Sequence, residues 1–233
     1  MEAEISEVIK HFIMGFSALL PLVNPIGSAL EVMGIVGLEP EETYRSLARK
    51  IAISTLLFFV AVGLLGSYLL QFFGISLNVL QVAGGGVVAA IGWSLLNRPD
   101  DTHKVFEGTG VVEAAARTRS QSWDSKVFYP LTFPITAGPG CVVVMLTLSA
   151  HATGRSFSLA ICAHAGLLSA VAFLSILIYI CYAYAPRIAR RISPSTVSGI
   201  VRVIAFIVLC IGVQIAWNGL QPMILSLMQQ HHP

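Results

Sequence analysis

Two segments rich in proline and glycine hold the residues with the clearest chemical potential. Residues 21–27 contain Asn24 between two prolines, and residues 130–140 contain three prolines, two glycines and the hydroxyls of Thr132 and Thr136. Each proline removes a backbone donor and disfavours a helical conformation at the residue before it. Both segments should therefore leave backbone, amide and hydroxyl groups able to hold a small polar solute.

The residues predicted to contact such a solute come from these two segments and their edges. They are Asn24, Pro25, Gly27, Ser28, Phe133, Pro134, Thr136, Gly138, Pro139 and Gly140. Asn24 can either cap a half-helix or bind the solute directly, and the two roles are compatible. Elsewhere in the apolar segments, we expect Gln81, Gln214 and Asn218 to form hydrogen bonds between helices.

Motifs for covalent or metal catalysis do not occur in the sequence. It contains neither His-Glu-X-X-His nor Gly-X-Ser-X-Gly, and its four cysteines are too widely spaced for a metal or redox motif. Asp100, Asp101 and His103 include metal-ligand types, but in a polar loop such residues are typical of solvated surface. We predict that the protein is not an enzyme and binds neither metal nor cofactor.

Composition indicates that these segments lie in a membrane. Of 233 residues, 55% are hydrophobic and 11% are charged, against about 25% charged in soluble domains. The net charge of +2 is too small to favour nucleic acid as a partner. Stretches of about 20 apolar residues predict an all-α polytopic protein whose first partner is the lipid bilayer. The predicted spans are residues 6–38, 51–70, 75–96, 128–150, 157–181 and 201–227.

The basic residues predict the orientation of these spans. Six crossings place both termini on one side, with twelve Lys and Arg residues on the opposite face and two on the face of the termini. Because positively charged loops remain in the cytoplasm, we expect both termini to be extracytoplasmic in an inner (cytoplasmic) membrane.

The two Pro-Gly segments predict breaks in helices 1 and 4. Residues 6–38 would form a continuous helix of about 50 Å, longer than a hydrocarbon core of about 30 Å. Three helices separate the breaks, so the second half enters the membrane in the opposite sense. We predict two inverted three-helix repeats, residues 1–96 and 128–233, joined by a cytoplasmic linker at 97–127. Both breaks are expected near the middle of their spans.

Unwound backbone inside a membrane persists only where it is buried in protein or lines a wet cavity. Paired discontinuous helices with such backbone are typical of secondary transporters, where they form the site for a small-molecule substrate. A passive channel or a non-transporting membrane interaction protein is the alternative, although neither requires two matched breaks. The sequence leaves open whether the chain forms a homo-oligomer.

The same segments resemble a known family. Residues 24–27 and 133–140 resemble the two signature segments of the MarC family, and similarity to its third and sixth helices extends over residues 73–77, 82–86, 211–214 and 218–219. The resemblance implies a six-span inner-membrane protein related to LysE-like exporters. It also implies transport of a small neutral amino acid such as glycine or alanine, with proton coupling as an open question.

Two titratable residues are candidates for proton coupling. Glu31 follows the first break by about one turn, where the family usually has an apolar residue, and His164 lies within helix 5. A carboxylate or imidazole held in an apolar segment is a candidate for taking up and releasing a proton. Each residue also has a structural reading, because Glu31 can face a wet vestibule and His164 can be satisfied by hydrogen bonds between helices.

Overall fold

A computed structural model describes residues 2–37, 39–97, 123–153, 156–191 and 194–230. All regular structure in these ranges is helical, as predicted from the composition. The α-helices are α1 (Glu2–Val23), α2 (Pro25–Val36), α3 (Glu41–Phe72), α4 (Leu77–Leu96), α5 (Pro139–Thr153), α6 (Phe157–Ala183), α7 (Ala185–Arg191) and α8 (Pro194–Gln230). A short 3-10 turn (Trp123–Lys126) leads into a π-helical segment (Val127–Thr136), called the π segment below.

The predicted membrane architecture is confirmed at the level of its helices. Five helical stretches are long and apolar enough to cross a bilayer, and the bent pair formed by residues 123–136 and 139–152 makes a sixth candidate. Of the predicted linker at 97–127, residues 98–122 lie outside the described residues, as do Asp100, Asp101 and His103.

The helix of the second span begins ten residues earlier than the predicted span, at Glu41 instead of residue 51. Its first turns carry charges that suppress the hydropathy signal, but Tyr44, Leu47, Ala48 and Ile51 are buried. These four positions follow the i, i+3, i+4, i+7 spacing of one helix face. An amphipathic start therefore extends the span.

Helix α6 lies at the centre of the packing. α1 runs parallel to it, since Gly15 lies against Leu167 and Ala170 while Gly166 lies against the backbone of Val8. α3 packs against another part of α6, and α5 contacts α1, α3, α4 and α6. Eleven residues of α6 are buried, and it forms the common surface against which α1, α2, α3 and α5 pack.

Glycines bring α4 and α8 into backbone contact. A Cβ atom added at Gly85 would lie 2.6 Å from the Gly212 carbonyl oxygen, and one at Gly92 would lie 2.7 Å from the Leu209 Cα. The contacts recur in reverse, because a Cβ atom at Gly212 would meet the Gly85 carbonyl oxygen at 2.8 Å and one at Gly219 would meet α4 backbone at 2.5 Å. The two helices run antiparallel with no room for side chains at these points.

Charged residues gather at the end of the bundle where α3 begins and α6 ends. Arg187 donates to both carboxylate oxygens of Glu41, at 3.0 and 2.7 Å. These hydrogen bonds and the charge of the carboxylate raise the pKa of the Arg187 guanidinium. Lys50 pairs with Asp124, which ties α3 to the turn before the π segment.

We expect Gly85→Val to destabilise the protein by about 1–3 kcal/mol, because its side chain would overlap the backbone of α8. Gly86→Val is the matched control, since a Cβ atom there meets nothing within 4 Å. Thermal melting of the detergent-purified variants measures the difference. Equal melting temperatures for the two variants would contradict the described contact.

Candidate functional site

The first break is a single residue, narrower than the predicted unwound segment of residues 23–27. Asn24 adopts the left-handed conformation (φ 44°, ψ 65°), and α2 restarts at Pro25. The Asn24 side-chain oxygen accepts a hydrogen bond of 3.2 Å from the Gly27 N–H. Asparagine tolerates the left-handed region and proline suits the first helical position, so these two residues confine the interruption.

A hydroxyl replaces the backbone bond that this cap removes. In an unbroken helix the Gly27 N–H would bond to the Val23 carbonyl. Asn24 takes that N–H instead, and the Ser28 hydroxyl donates to the Val23 carbonyl at 2.7 Å. The break is thus satisfied within its own turn.

The second break is wider, and a hydroxyl donates to a backbone carbonyl five residues earlier at two places in it. Tyr129 and Phe133, each of which precedes a proline, leave the helical conformation. The Thr132 hydroxyl donates to the Val127 carbonyl at 2.8 Å, and the Thr136 hydroxyl donates to the Leu131 carbonyl at 2.6 Å. The chain then bends by 73° before continuing as α5.

Tyr182, near the end of α6, joins the two breaks. Its hydroxyl lies 2.8 Å from the Thr136 hydroxyl and also interacts with the Ser28 side chain. All three side chains are at most 6% exposed. We call this cluster of Ser28, Thr136 and Tyr182 the junction.

The junction lies beside the end of α6. Of the two breaks expected near the middle of their spans, the second lies at the middle of the bent pair 123–136 and 139–152, whereas the first lies past the middle of Glu2–Val36. Tyr182 is the penultimate residue of this 27-residue helix. The difference arises because the span containing the first break begins at Glu2, so 22 residues of α1 precede Asn24.

Other predicted contact residues surround the junction with different roles. The Phe133 ring packs against the Phe58 ring with centroids 5.7 Å apart, which anchors the π segment to α3. Gly140 faces Val88 and Leu22, and so brings α5 close to α4 and α1. Pro25 is buried, Gly27, Pro134 and Gly138 are half-buried, and Pro139 is exposed at the start of α5.

Of the two coupling candidates, Glu31 lies near the junction. It is half-buried on α2, and its carboxylate is close enough to act electrostatically on the Tyr182 hydroxyl. His164 lies elsewhere, because the 18 residues of α6 between it and Tyr182 span about 27 Å.

His164 takes part in a hydrogen-bonded chain that links three helices. Its Nδ1 lies 2.9 Å from the Ala160 carbonyl oxygen, and its Nε2 lies 3.4 Å from the Ser149 hydroxyl. The Ser149 hydroxyl donates to the Gly63 carbonyl on α3. These contacts connect α6 to α5 and α3.

A cavity of about 370 Å³ lies among α1, α4, α5 and α8. Polar side chains line part of it, and Ala18, Val144 and Ile215 are among its apolar lining residues. The polar lining residues are Lys10, His11, Gln81, Thr147, His151, Gln214 and Asn218.

Two of these residues differ from expectation. Gln214 and Asn218 bond to each other along α8 at 2.8 Å, with the Gln214 amide donating to the Asn218 oxygen, and so do not form the expected bond between helices. One helical turn separates them, and their shared face borders the cavity. The four-residue spacing of Gln214 and Asn218 predicts from the sequence that they share a helix face. The spacing does not show whether that face packs against another helix or borders a cavity.

Tyr182 and the cavity are the features that sequence reasoning missed. A tyrosine at the end of an apolar segment is typical of the membrane interface, so its type and position gave no sign of a buried contact. Among the described residues, no group of three or more His, Cys, Asp or Glu side chains is arranged to hold a metal ion.

Within the described part of the chain, five or six apolar helices long enough to cross a bilayer define a polytopic helical membrane protein. The chain belongs to the MarC family: the family model described as "MarC family integral membrane protein" matches residues 9–224.

Several curated proteins are similar along most of the chain. A UPF0056 membrane protein of Methanocaldococcus jannaschii is 26% identical over 92% of this chain and 88% of its own length. The UPF0056 inner membrane protein MarC of Salmonella typhimurium is 25% identical over 97% of this chain and 99% of its own length. No solved structure matches.

We expect Tyr182→Phe to lower the free energy of unfolding by about 1 kcal/mol, because it deletes the hydroxyl that joins the two breaks. Hydrogen exchange of residues 25–36 and 127–136 should accelerate in the same variant. Tyr179→Phe, one turn earlier on α6 and 38% exposed, is the matched control and should change stability by less than about 0.5 kcal/mol. Identical exchange in both variants would show that Tyr182 does not hold the breaks together.

Proposed function

We propose that this chain is a secondary transporter that moves a small polar solute across the inner membrane by alternating access. The observation that carries the proposal is a largely apolar cavity with several polar side chains in its lining, which approaches two broken helices held together by one buried hydroxyl. Its volume falls within the range of about 300–1,000 Å³ typical of small-molecule sites. The MarC resemblance suggests a small neutral amino acid as the solute.

The positions of the cavity and the junction support a solute path that is open at the cavity and closed at the junction. Ala18 and Val144 line the cavity, and Leu22 and Gly140, one turn further along α1 and one turn back along α5, pack together. Asn24 and the junction follow immediately. A solute in the cavity would therefore reach the junction once this packed turn separates.

The helix contacts support the proposal of inverted repeats. Gly212 follows Gly85, and Gly219 follows Gly92, by the same interval along the chain. Gly85 and Gly212 meet each other's backbone with the same set of atoms, and Gly92 and Gly219 meet corresponding carbonyls and amides. This reciprocity is expected if α4 and α8 are the third helices of two halves related by a two-fold axis.

Charge and relatives support the proposed orientation and location. Several described basic residues lie at the end where α6 terminates, including Arg45, Lys50 and Arg187, whereas Lys10 lies near the other end. With positive charge kept inside, the cavity is on the extracytoplasmic half and the junction on the cytoplasmic half. The Salmonella relative is named an inner membrane protein, which supports that membrane for this chain.

Counterflow in proteoliposomes tests the transporter proposal. We expect unlabelled glycine, alanine or serine inside the vesicles to accelerate uptake of the same radiolabelled amino acid from outside, because a carrier exchanges solutes through one site. Flux without this acceleration would indicate a channel. No flux of any of the three, with correctly inserted protein, would favour the non-transporting alternative.

Glu31 and His164 are proposed as alternative proton-coupling residues, for different structural reasons. Glu31 adjoins the junction, where closure of the path would alter its surroundings. His164 contacts the Ser149 hydroxyl on α5 and the Ala160 carbonyl on its own helix. A proton taken up at either residue would therefore act at a contact between helices.

If Glu31 couples transport, Glu31→Gln should abolish uptake driven by a pH gradient while preserving counterflow, because exchange requires no net proton movement. His164→Gln is the paired variant for the competing site. Loss of driven uptake in His164→Gln alone would assign coupling to His164, and normal driven uptake in both variants would exclude both residues.

A further inference from the structure

We propose that Lys10, Thr147 and Asn218 form an anion site in the cavity, and that this site binds the carboxylate of the transported solute. The inference rests on the proposed transport function and adds the chemical group that the solute must carry. It does not require an amino group, so amino acids and simple carboxylic acids both fit.

The charges of the cavity lining are of one sign. Lys10 supplies a cation, and no Asp or Glu of the described chain lines the cavity. Glu7 is the nearest carboxylate along α1, but it does not line the cavity, and its carboxylate oxygen lies 3.1 Å from His11 Nδ1. Lys10 is therefore the cation best placed to attract an anion from solvent.

The second half of the chain supplies the hydrogen-bond donors of the proposed anion site, and Thr147 is the first of them. The Thr147 hydroxyl is shielded from solvent and has no hydrogen-bond partner among the described residues, although Thr147 lines the cavity. A buried hydroxyl without a partner is costly, and rotation of the Thr147 side chain into the cavity would let a ligand oxygen satisfy it.

Asn218 offers a second donor group. Its side-chain oxygen accepts from Gln214, so that its NH2 group remains the part able to donate to a ligand. A carboxylate accepts hydrogen bonds through two oxygens and can use an ammonium, a hydroxyl and an amide together. Because Lys10 lies on α1 while Thr147 and Asn218 lie on α5 and α8, the anion would connect the two halves of the protein.

Binding of radiolabelled glycine and of radiolabelled acetate to the detergent-purified protein tests the site. We expect both to bind, acetate to displace glycine, and methylamine, which has the amine alone, not to displace it. Lys10→Gln and Asn218→Asp should each weaken acetate binding by at least about tenfold, since each removes or reverses a charge-assisted contact. Lys10→Arg keeps the charge and should remain within about threefold of the parent.

Two controls separate this proposal from the transporter proposal. Thr147→Val keeps the shape of the side chain and should weaken acetate binding without lowering the melting temperature.

If counterflow persists in Lys10→Gln with an unchanged half-saturating concentration, the anion site is wrong and the transporter proposal stands. If acetate binding depends on Lys10 but no counterflow occurs, the site stands and the transporter proposal is wrong. Absence of acetate binding, or displacement by methylamine, overturns the anion site.

Discussion

The structure depends on one constraint: backbone polar groups inside a hydrocarbon environment need partners, and each unpaired group costs several kcal/mol. Proline at positions 25, 130 and 134 removes donors that a continuous helix would use. Short side chains nearby restore the balance, with Asn24 accepting from a backbone amide and Ser28, Thr132 and Thr136 donating to backbone carbonyls. These hydrogen bonds pair the Gly27 amide and three carbonyls, those of Val23, Val127 and Leu131, where the helices are interrupted.

Local satisfaction of the breaks has a consequence for binding. The Ser28 and Thr136 hydroxyls already serve their own turns and meet Tyr182, so the junction is closed in this conformation. Other polar side chains lie instead around the cavity, about three to four helical turns away, where the shielded Thr147 hydroxyl lacks a partner among the described residues. The hydroxyls of the junction are hydrogen-bonded, whereas the cavity contains a hydroxyl without a partner. This difference is consistent with the proposed transport cycle, in which a solute first binds in the cavity and the packed turn then opens.

Close helix contact and open space coexist because of side-chain size. Gly85, Gly92, Gly212 and Gly219 bring α4 and α8 together until their backbones touch. The joined pair then acts as one wall of the cavity, with Gln81 and Asn218 on it, while α1 and α5 form the opposite wall. Since van der Waals packing replaces the hydrophobic effect between helices in a membrane, such glycine contacts can fix the pair while other contacts change.

The sequence alone determined what depends on neighbours in the chain. Apolar runs of sufficient length predicted the five to six candidate spans, and proline and glycine marked the residues around Asn24 and Phe133 where the backbone departs from regular helix. The start of α3 was not predicted because its first turns are charged, which lowers the mean hydropathy of the sequence window. Burial there involves only one face of the helix, which such an average does not detect. Only the tertiary structure decided that Tyr182 meets Thr136 from 46 positions away and that Gln214 and Asn218 border a cavity. Such contacts depend on how helices cross and rotate against one another, which is set by packing among residues distant in sequence.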